Sequence, residues 1–268
     1  MIRTRIDVLG TGAGLLERDK ESSCYVINQE LMVDLGWCGV TRMPAHGIAP
    51  SRIKALIITH THADHILGLP QFLFFRYLGI ARPEESPLEI VGPRSTVEPI
   101  VESALAFVKT ASRKDAFPIT VRPLSPGESW ETSSFRLETC KMIHPVPGLC
   151  LRLTDLKSGA VIAFSGDTSY NPDLVRISRG ADVLIHEATL GAKMPSDDKD
   201  GHSGGEEAAR VAKEAGVGQF LLSHMPRARR LPALTGAQRH FPAVALLEDG
   251  DTIEVVHGFQ GGDSVTTG

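Results

Sequence analysis

Residues 60–65 read His60-Thr61-His62-Ala63-Asp64-His65. The apolar run Lys54–His60 before them predicts a buried strand, and Ile66-Leu67-Gly68-Leu69-Pro70-Gln71-Phe72-Leu73-Phe74-Phe75 after them predicts a helix within about 66–80. Four coordinating side chains in six residues, held between two packed elements, offer the nitrogen and oxygen donors that suit a metal ion. Adjacent Asp64 and His65 point elsewhere than His60 and His62, so two neighbouring ions use the four groups better than one. Two ions need further ligands, and three other strand-like runs, 135–144, 160–167 and 219–224, finish at His144, Asp167 and His224. These supply an imidazole for each ion and a carboxylate to bridge them, and strand ends on one rim can converge on one cleft. Ions about 3.5–4 Å apart share a hydroxide and stabilise attacking and leaving oxygens together, which makes hydrolysis the natural chemistry.

The rest of the chain is consistent with one domain over residues 1–268: no low-complexity segment, long linker or short repeat interrupts it. About eleven strand-like runs and four helical ones, about 66–80, 94–110, 172–179 and 204–215, are too many strands for one open sheet. Two sheets packed face to face with helices outside are the economical solution. The helix at 204–215 carries the clearest start, with Ser203 as cap and Glu206 three residues on. With 42% hydrophobic and 22% charged residues and a mean hydropathy of -0.03, the chain is an ordinary globular one. Its longest apolar stretch, 66–75, holds a proline and is about half the 20 residues of a membrane span. The start, Met1-Ile2-Arg3-Thr4-Arg5-Ile6-Asp7, interrupts any secretory apolar region with charge, so a cytoplasmic protein is expected. The net charge of -4 offers no chain-wide attraction for a polyanion, leaving nucleic-acid contact to local patches. Cys24, Cys38, Cys140 and Cys150 contain no CxxC pair and are expected as reduced core or strand residues.

The HxHxDH motif with a distant His, Asp and His resembles the metallo-β-lactamase superfamily, as do Leu9-Gly10-Thr11-Gly12 and Asp34-Leu35-Gly36. The resemblance spans nearly the whole chain and implies a four-layer αββα sandwich. It further implies that His60, His62 and His144 hold a first metal and Asp64, His65 and His224 a second, with Asp167 bridging. β-Lactamases proper lack the full set or place cysteine in it, which turns the expectation away from antibiotic hydrolysis. His186-Glu187-Ala188-Thr189 and Gly201-His202-Ser203 look like motifs of the ribonuclease Z-like phosphodiesterase branch. There the equivalent histidine, supported by the glutamate, protonates the leaving oxygen, a role chemically apt for a carboxylate-oriented imidazole. His186 is expected to be structural. Ribonuclease Z carries a long tRNA-gripping arm between the equivalents of His144 and Asp167. Here residues 145–166 read as a plain hairpin turning at Lys157-Ser158-Gly159, which points to a small or cyclic phosphodiester and away from tRNA 3′ processing.

The expected activity is therefore a dinuclear phosphodiesterase in which Asp64 orients or deprotonates the nucleophile and His202 with Glu187 serves the leaving group. The alternative is a lactone, thioester or carboxylic ester hydrolase using the same metals; a non-catalytic metal-binding protein is disfavoured by the complete ligand set. Zinc is the expected ion, with manganese and iron admitted by the donors. The resemblance implies a homodimer. Gly10-Thr11-Gly12-Ala13-Gly14 lacks the spacing and following helix of a dinucleotide fingerprint and is expected as a tight turn near the metals. Arg227, Arg229 and Arg230 are expected in a solvated loop, with phosphate binding as the alternative; Phe72, Phe74, Phe75 and Tyr77 are expected in the core, and Trp37 is a pocket-wall candidate.

Overall fold

The computed structural model describes residues 2–79, 86–109 and 117–258. Most of one sheet comes from β1 (Thr4–Gly10), β2 (Cys24–Ile27), β3 (Leu31–Val33), β4 (Ala55–Ile57), β5 (Leu88–Pro93) and β6 (Ile119–Leu124). The second contains β7 (Ser129–Glu131), β8 (Phe135–Lys141), β9 (Leu149–Asp155), β10 (Val161–Phe164), β11 (Val183–Glu187), β12 (Gln219–Ser223) and β13 (Ala245–Leu246). A last strand, β14 (Thr252–Val255), returns to pair with β1, giving the orders β14-β1-β2-β3-β4-β5-β6 and β13-β12-β11-β10-β9-β8-β7.

The inner faces of both sheets meet in one core, with Ile6, Val8, Ile57, Leu137, Leu151 and Ile185 fully or almost fully buried. Each such side chain contributes about 1.5–3 kcal/mol by leaving water. Helices α1 (Gly39–Arg42), α2 (Ala63–Ile66), α3 (Leu69–Leu78) and α4 (Val97–Val108) belong to the first half, and an outer core joins the first, third and fourth to the first sheet. The second sheet is covered by α5 (Pro172–Ile177), α6 (Gly205–Ala215) and α7 (Arg227–Gln238). The layers are helix, sheet, sheet, helix, as expected.

Several boundaries differ from the sequence-based expectation. Residues 23–36 form a hairpin: Asn28 (φ 49°) and Gln29 (φ 58°) are left-handed, and the Glu30 N–H donates to the Ile27 carbonyl at 3.0 Å. Two left-handed central residues make the turn that suits twisted strands, without the Asn-Gly pair that would have announced it. The helix expected at 66–80 is two helices broken at Gly68. A Cβ on Gly68 would stand 2.2 Å from the Gly36 carbonyl oxygen, so the break lets the helix backbone reach the loop after β3. Gly68→Ala is expected to cost about 1–3 kcal/mol of stability by overpacking, read as a lower urea midpoint with an unchanged slope.

Helix α6 is capped by Gly204 instead of Ser203, and Glu207 instead of Glu206 accepts the Gly204 N–H at 3.1 Å; Ser203 donates to the Thr168 carbonyl. The arginine segment expected as a loop is the first turn of α7, despite Pro232 inside it, because α7 packs on α6 through Ala233 and Ala237 while Gly236 lies against the Ala192 backbone. Phe72 is buried as expected and Tyr77 packs partly against the outer core, but Phe74 and Phe75 are 44% and 42% exposed. Cys24, Cys140 and Cys150 are buried and reduced, whereas Cys38 is reduced but exposed, outside any strand. Among the described residues, no helix is long and apolar enough to cross a membrane.

Candidate metal centre

Parallel strands point their carboxyl ends the same way, and both sheets use this at one rim. β3 to β6 are parallel, as are β10 to β12. Asp34 follows β3, His60 follows β4, Asp167 follows β10, Glu187 closes β11 and His224 follows β12. β8 and β9 pair out to Lys141↔Leu149, so their connection, which contains His144, lies at that rim too. A bridge between His60 and Gly148, with the Leu149 N–H donating to the Thr59 carbonyl at 2.9 Å, ties the two sheets together there.

The sequence-predicted ligands come together in two adjoining groups, His60, His62, His144 and Asp167 on one side and Asp64, His65 and His224 on the other. His62 Nδ1 and His144 Nε2 are 3.1 Å apart, and His65 Nε2 and His224 Nε2 are also 3.1 Å apart. Asp167 Oδ2 lies between them, 3.6 Å from His60 Nε2 and 3.5 Å from both His65 Nε2 and His224 Nε2. Asp64 Oδ2 is 3.2 Å from His224 Nε2.

Outer partners set which nitrogen each imidazole presents. His144 Nδ1 donates to the Gly201 carbonyl at 3.0 Å, and His65 Nδ1 donates to Asp34 Oδ2 at 2.8 Å. His224 Nδ1 donates to Thr189 Oγ1 at 3.0 Å, while that hydroxyl donates to the His224 carbonyl. His65 and His224 thus both turn Nε2 inward, 3.1 Å apart, two nitrogens placed to share one cation. His60 Nε2 and Asp167 Oδ1 are buried without a hydrogen-bond partner, which is costly for a polar atom. The electrostatics agree. Burial opposes charge on His65, but the Asp167 and Asp34 carboxylates outweigh it and raise its pKa well above the ordinary range. Burial and the neighbouring imidazoles of His65, His144 and His62 hold His60 neutral. The Asp64 carboxyl is held low despite burial by His224 and His65. These donors and this field fit divalent cations.

Two supports escaped the sequence reading as site residues. Asp34 was visible only as part of a motif, yet it also accepts the Thr59 N–H at 2.7 Å and the Thr59 hydroxyl at 2.8 Å, so it fixes the strand end that delivers His60. Thr189 was likewise visible only as the last residue of the His186-Glu187-Ala188-Thr189 motif. Asp34 (φ 53°) and His224 (φ 49°) both hold left-handed backbone, the kind of local strain that persists where surroundings over-determine it. The glycine turn is where expected: a Cβ on Gly14 would be 3.3 Å from Asp64 Oδ2.

His202 stands beside the cluster, its ring 4.8 Å from that of His144 and its Nδ1 4.0 Å from Asp167 Oδ2. Its Nδ1 donates to Glu187 Oε1 at 2.8 Å. Glu187 is itself immobilised by the Thr168 N–H on Oε1 and the Thr189 N–H on Oε2. Burial pushes the His202 imidazole down, but the Glu187 carboxylate more than offsets this and lifts its pKa to about 9. His186 is fully buried and donates Nδ1 to the Glu187 carbonyl, in keeping with a structural role. Trp37 is partly buried beside Ser22, whose hydroxyl accepts its backbone N–H. Arg230 is buried against the Leu247 carbonyl and Glu248, so it is unavailable to a phosphate, and Arg229 donates to the Thr189 carbonyl.

Residues 33–225 match the family model of the β-lactamase superfamily domain. The chain belongs to the metallo-β-lactamase superfamily. This superfamily member is 28% identical to ribonuclease Z of Mycobacterium bovis (strain BCG / Pasteur 1173P2), over 93% of this chain and 94% of that protein. The short form of human tRNase Z superposes with a TM-score of 0.77 at 25% identity, covering 94% of this chain and 99% of that one. The metallo-β-lactamase fold protein YhfI from Bacillus subtilis shares the fold, with a TM-score of 0.80 at 24% identity over 95% and 100% of the two chains. Fold, relatives and ligand-type residues together make this superfamily member a metal-dependent hydrolase.

Proposed function

We propose that the chain is a dinuclear, zinc-dependent phosphodiesterase of the cytoplasm, a single hydrolase domain acting on a small or cyclic phosphodiester. The observation that carries this is the His202–Glu187 pair, hydrogen-bonded at 2.8 Å beside the His/Asp cluster. In this reading His60, His62 and His144 would hold one ion and Asp64, His65 and His224 the other, with Asp167 placed to serve both. Divalent ions held there supply Lewis-acid polarisation of the phosphoryl group and acidify water to a nucleophile near neutral pH. Asp64, between His224 and the glycine turn, orients that water or accepts its proton at a carboxylate oxygen. A phosphodiester departs as an alkoxide unless a proton arrives, and His202 supplies it from Nε2, because Nδ1 is committed to Glu187. Glu187 positions the ring and favours its protonated form.

RNA cleavage is a second reading, favoured by relatives that are ribonucleases by name. Residues 145–166 form only a short loop, β9, a tight turn, β10 and the start of the run after it, with nothing there to act as an extended arm. The test is turnover of metal-analysed protein on bis(p-nitrophenyl) phosphate, 2′,3′-cyclic nucleotides, a lactone and a thioester. Metal-dependent diester cleavage exceeding the other two is expected; lactone or thioester cleavage alone would overturn the substrate class and the role of His202.

A further inference from the structure

Ligands of open parallel sheets bind beyond the carboxyl ends of the strands. Of the four parallel strands β3 to β6, the first two deliver Asp34 and His60 to the metal cluster, while the last two end in Arg94-Ser95 and Ser125. Those two ends open on a cavity of about 480 Å³ whose other wall is residues 144–149. His144 lines this cavity and also belongs to the metal-ligand cluster, so the two spaces adjoin through one side chain. A volume of this size suits a small organic ligand.

The walls are chemically specific. Pro93 and Pro126 on one side and Pro145, Val146 and Pro147 on the other offer flat, rigid apolar faces of the kind that take a planar ring. Two cations line the same space. The Arg94 guanidinium is already met, donating to Glu128 Oε2 at 2.8 Å and Ser125 Oγ at 2.9 Å. Lys141, at the end of β8, is exposed, and its ammonium has no hydrogen-bond or ion-pair partner among the described residues. The cavity therefore combines apolar slabs with one unmatched positive charge, next to the His/Asp cluster.

We propose that this cavity is the subsite for the organic substituent of the scissile diester, that the substituent is a nucleoside carrying a second phosphate, and that Lys141 and Val146 determine this preference. This rests on the phosphodiesterase reading, since it takes the cluster as the seat of the first phosphate. The base lies between the proline faces, and the second phosphate accepts a charge-assisted hydrogen bond from Lys141 Nζ.

The test is calorimetric titration of the purified, metal-loaded chain with thymidine 3′,5′-bisphosphate, methyl phosphate and decyl phosphate, alongside turnover of bis(p-nitrophenyl) phosphate. The bisphosphate is expected to bind at least about tenfold tighter than methyl phosphate, the scale of one hydrogen bond to a charged group. Lys141→Glu, an exposed position, should abolish most of that preference, and Val146→Trp should do so by filling the slot. A preference below twofold, its retention in both variants, or tighter binding of decyl phosphate would overturn the proposal. Binding preference without diester turnover would keep the subsite and sink the phosphodiesterase reading; turnover without the preference would do the reverse.

Discussion

Asp167→Ala is expected to remove divalent metal from the purified protein and to lower phosphodiester turnover by about 10³-fold or more. The magnitude follows from losing several kcal/mol of metal-derived stabilisation at about 1.4 kcal/mol per tenfold in rate. The position explains the severity: Asp167 Oδ2 is within 3.6 Å of His60 Nε2 and 3.5 Å of both His65 Nε2 and His224 Nε2, so one carboxylate serves both ligand groups. Elemental analysis and steady-state kinetics on the same preparation check it, with circular dichroism to show that the variant is folded. A variant that kept two equivalents of metal per chain and full activity would rule out the bridging role.

His202→Ala is expected to separate the two readouts, sparing metal content while slowing chemistry. General acid catalysis is worth about 10²–10⁴-fold, and the loss should fall in that range for a diester that leaves as an alkoxide. With p-nitrophenolate as leaving group, which departs without a proton, the loss should be much smaller. The contrast separates a proton donor from a merely structural histidine, because misfolding would reduce both substrates alike. Equal losses on both leaving groups, or none on either, would remove His202 from the leaving-group role. Glu187→Gln should produce a milder version of the same contrast, since the amide keeps the volume but no longer favours the protonated ring that Glu187 Oε1 now holds at 2.8 Å.

The ligand residues were legible because they sit in the one kind of place where sequence announces geometry. Each of His60, His144, Asp167 and His224 ends or follows an apolar run, and parallel strands carry their carboxyl ends to a common rim. Asp34 and Thr189 were not legible as supports, because a second hydrogen bond to an imidazole leaves no spacing pattern. What selects them is distance in space, 2.8 Å from Asp34 to His65 and 3.0 Å from Thr189 to His224, across 31 and 35 residues of chain. The arginine segment misled for a related reason. Pro232 and the three arginines near its start read as a loop, while Ala233, Gly236 and Ala237 allow a close approach that tertiary packing uses to make a helix.

Sequence alone pointed to the fold class and the seven ligand-type residues, because hydrophobic periodicity and the HxHxDH spacing are local properties that any compact fold must respect; the division of those residues into two groups came through resemblance. It determined the His202 and Glu187 pairing only through resemblance. Tertiary structure decided the rest: which imidazole nitrogen faces inward, that the His65 and His224 Nε2 atoms meet at 3.1 Å, that Arg230 is consumed inside the fold, and that a proline-walled cavity opens from His144 to Lys141. Those features depend on how two sheets meet at their rims, and contacts between residues far apart in the chain are set by packing, not by any neighbour in sequence.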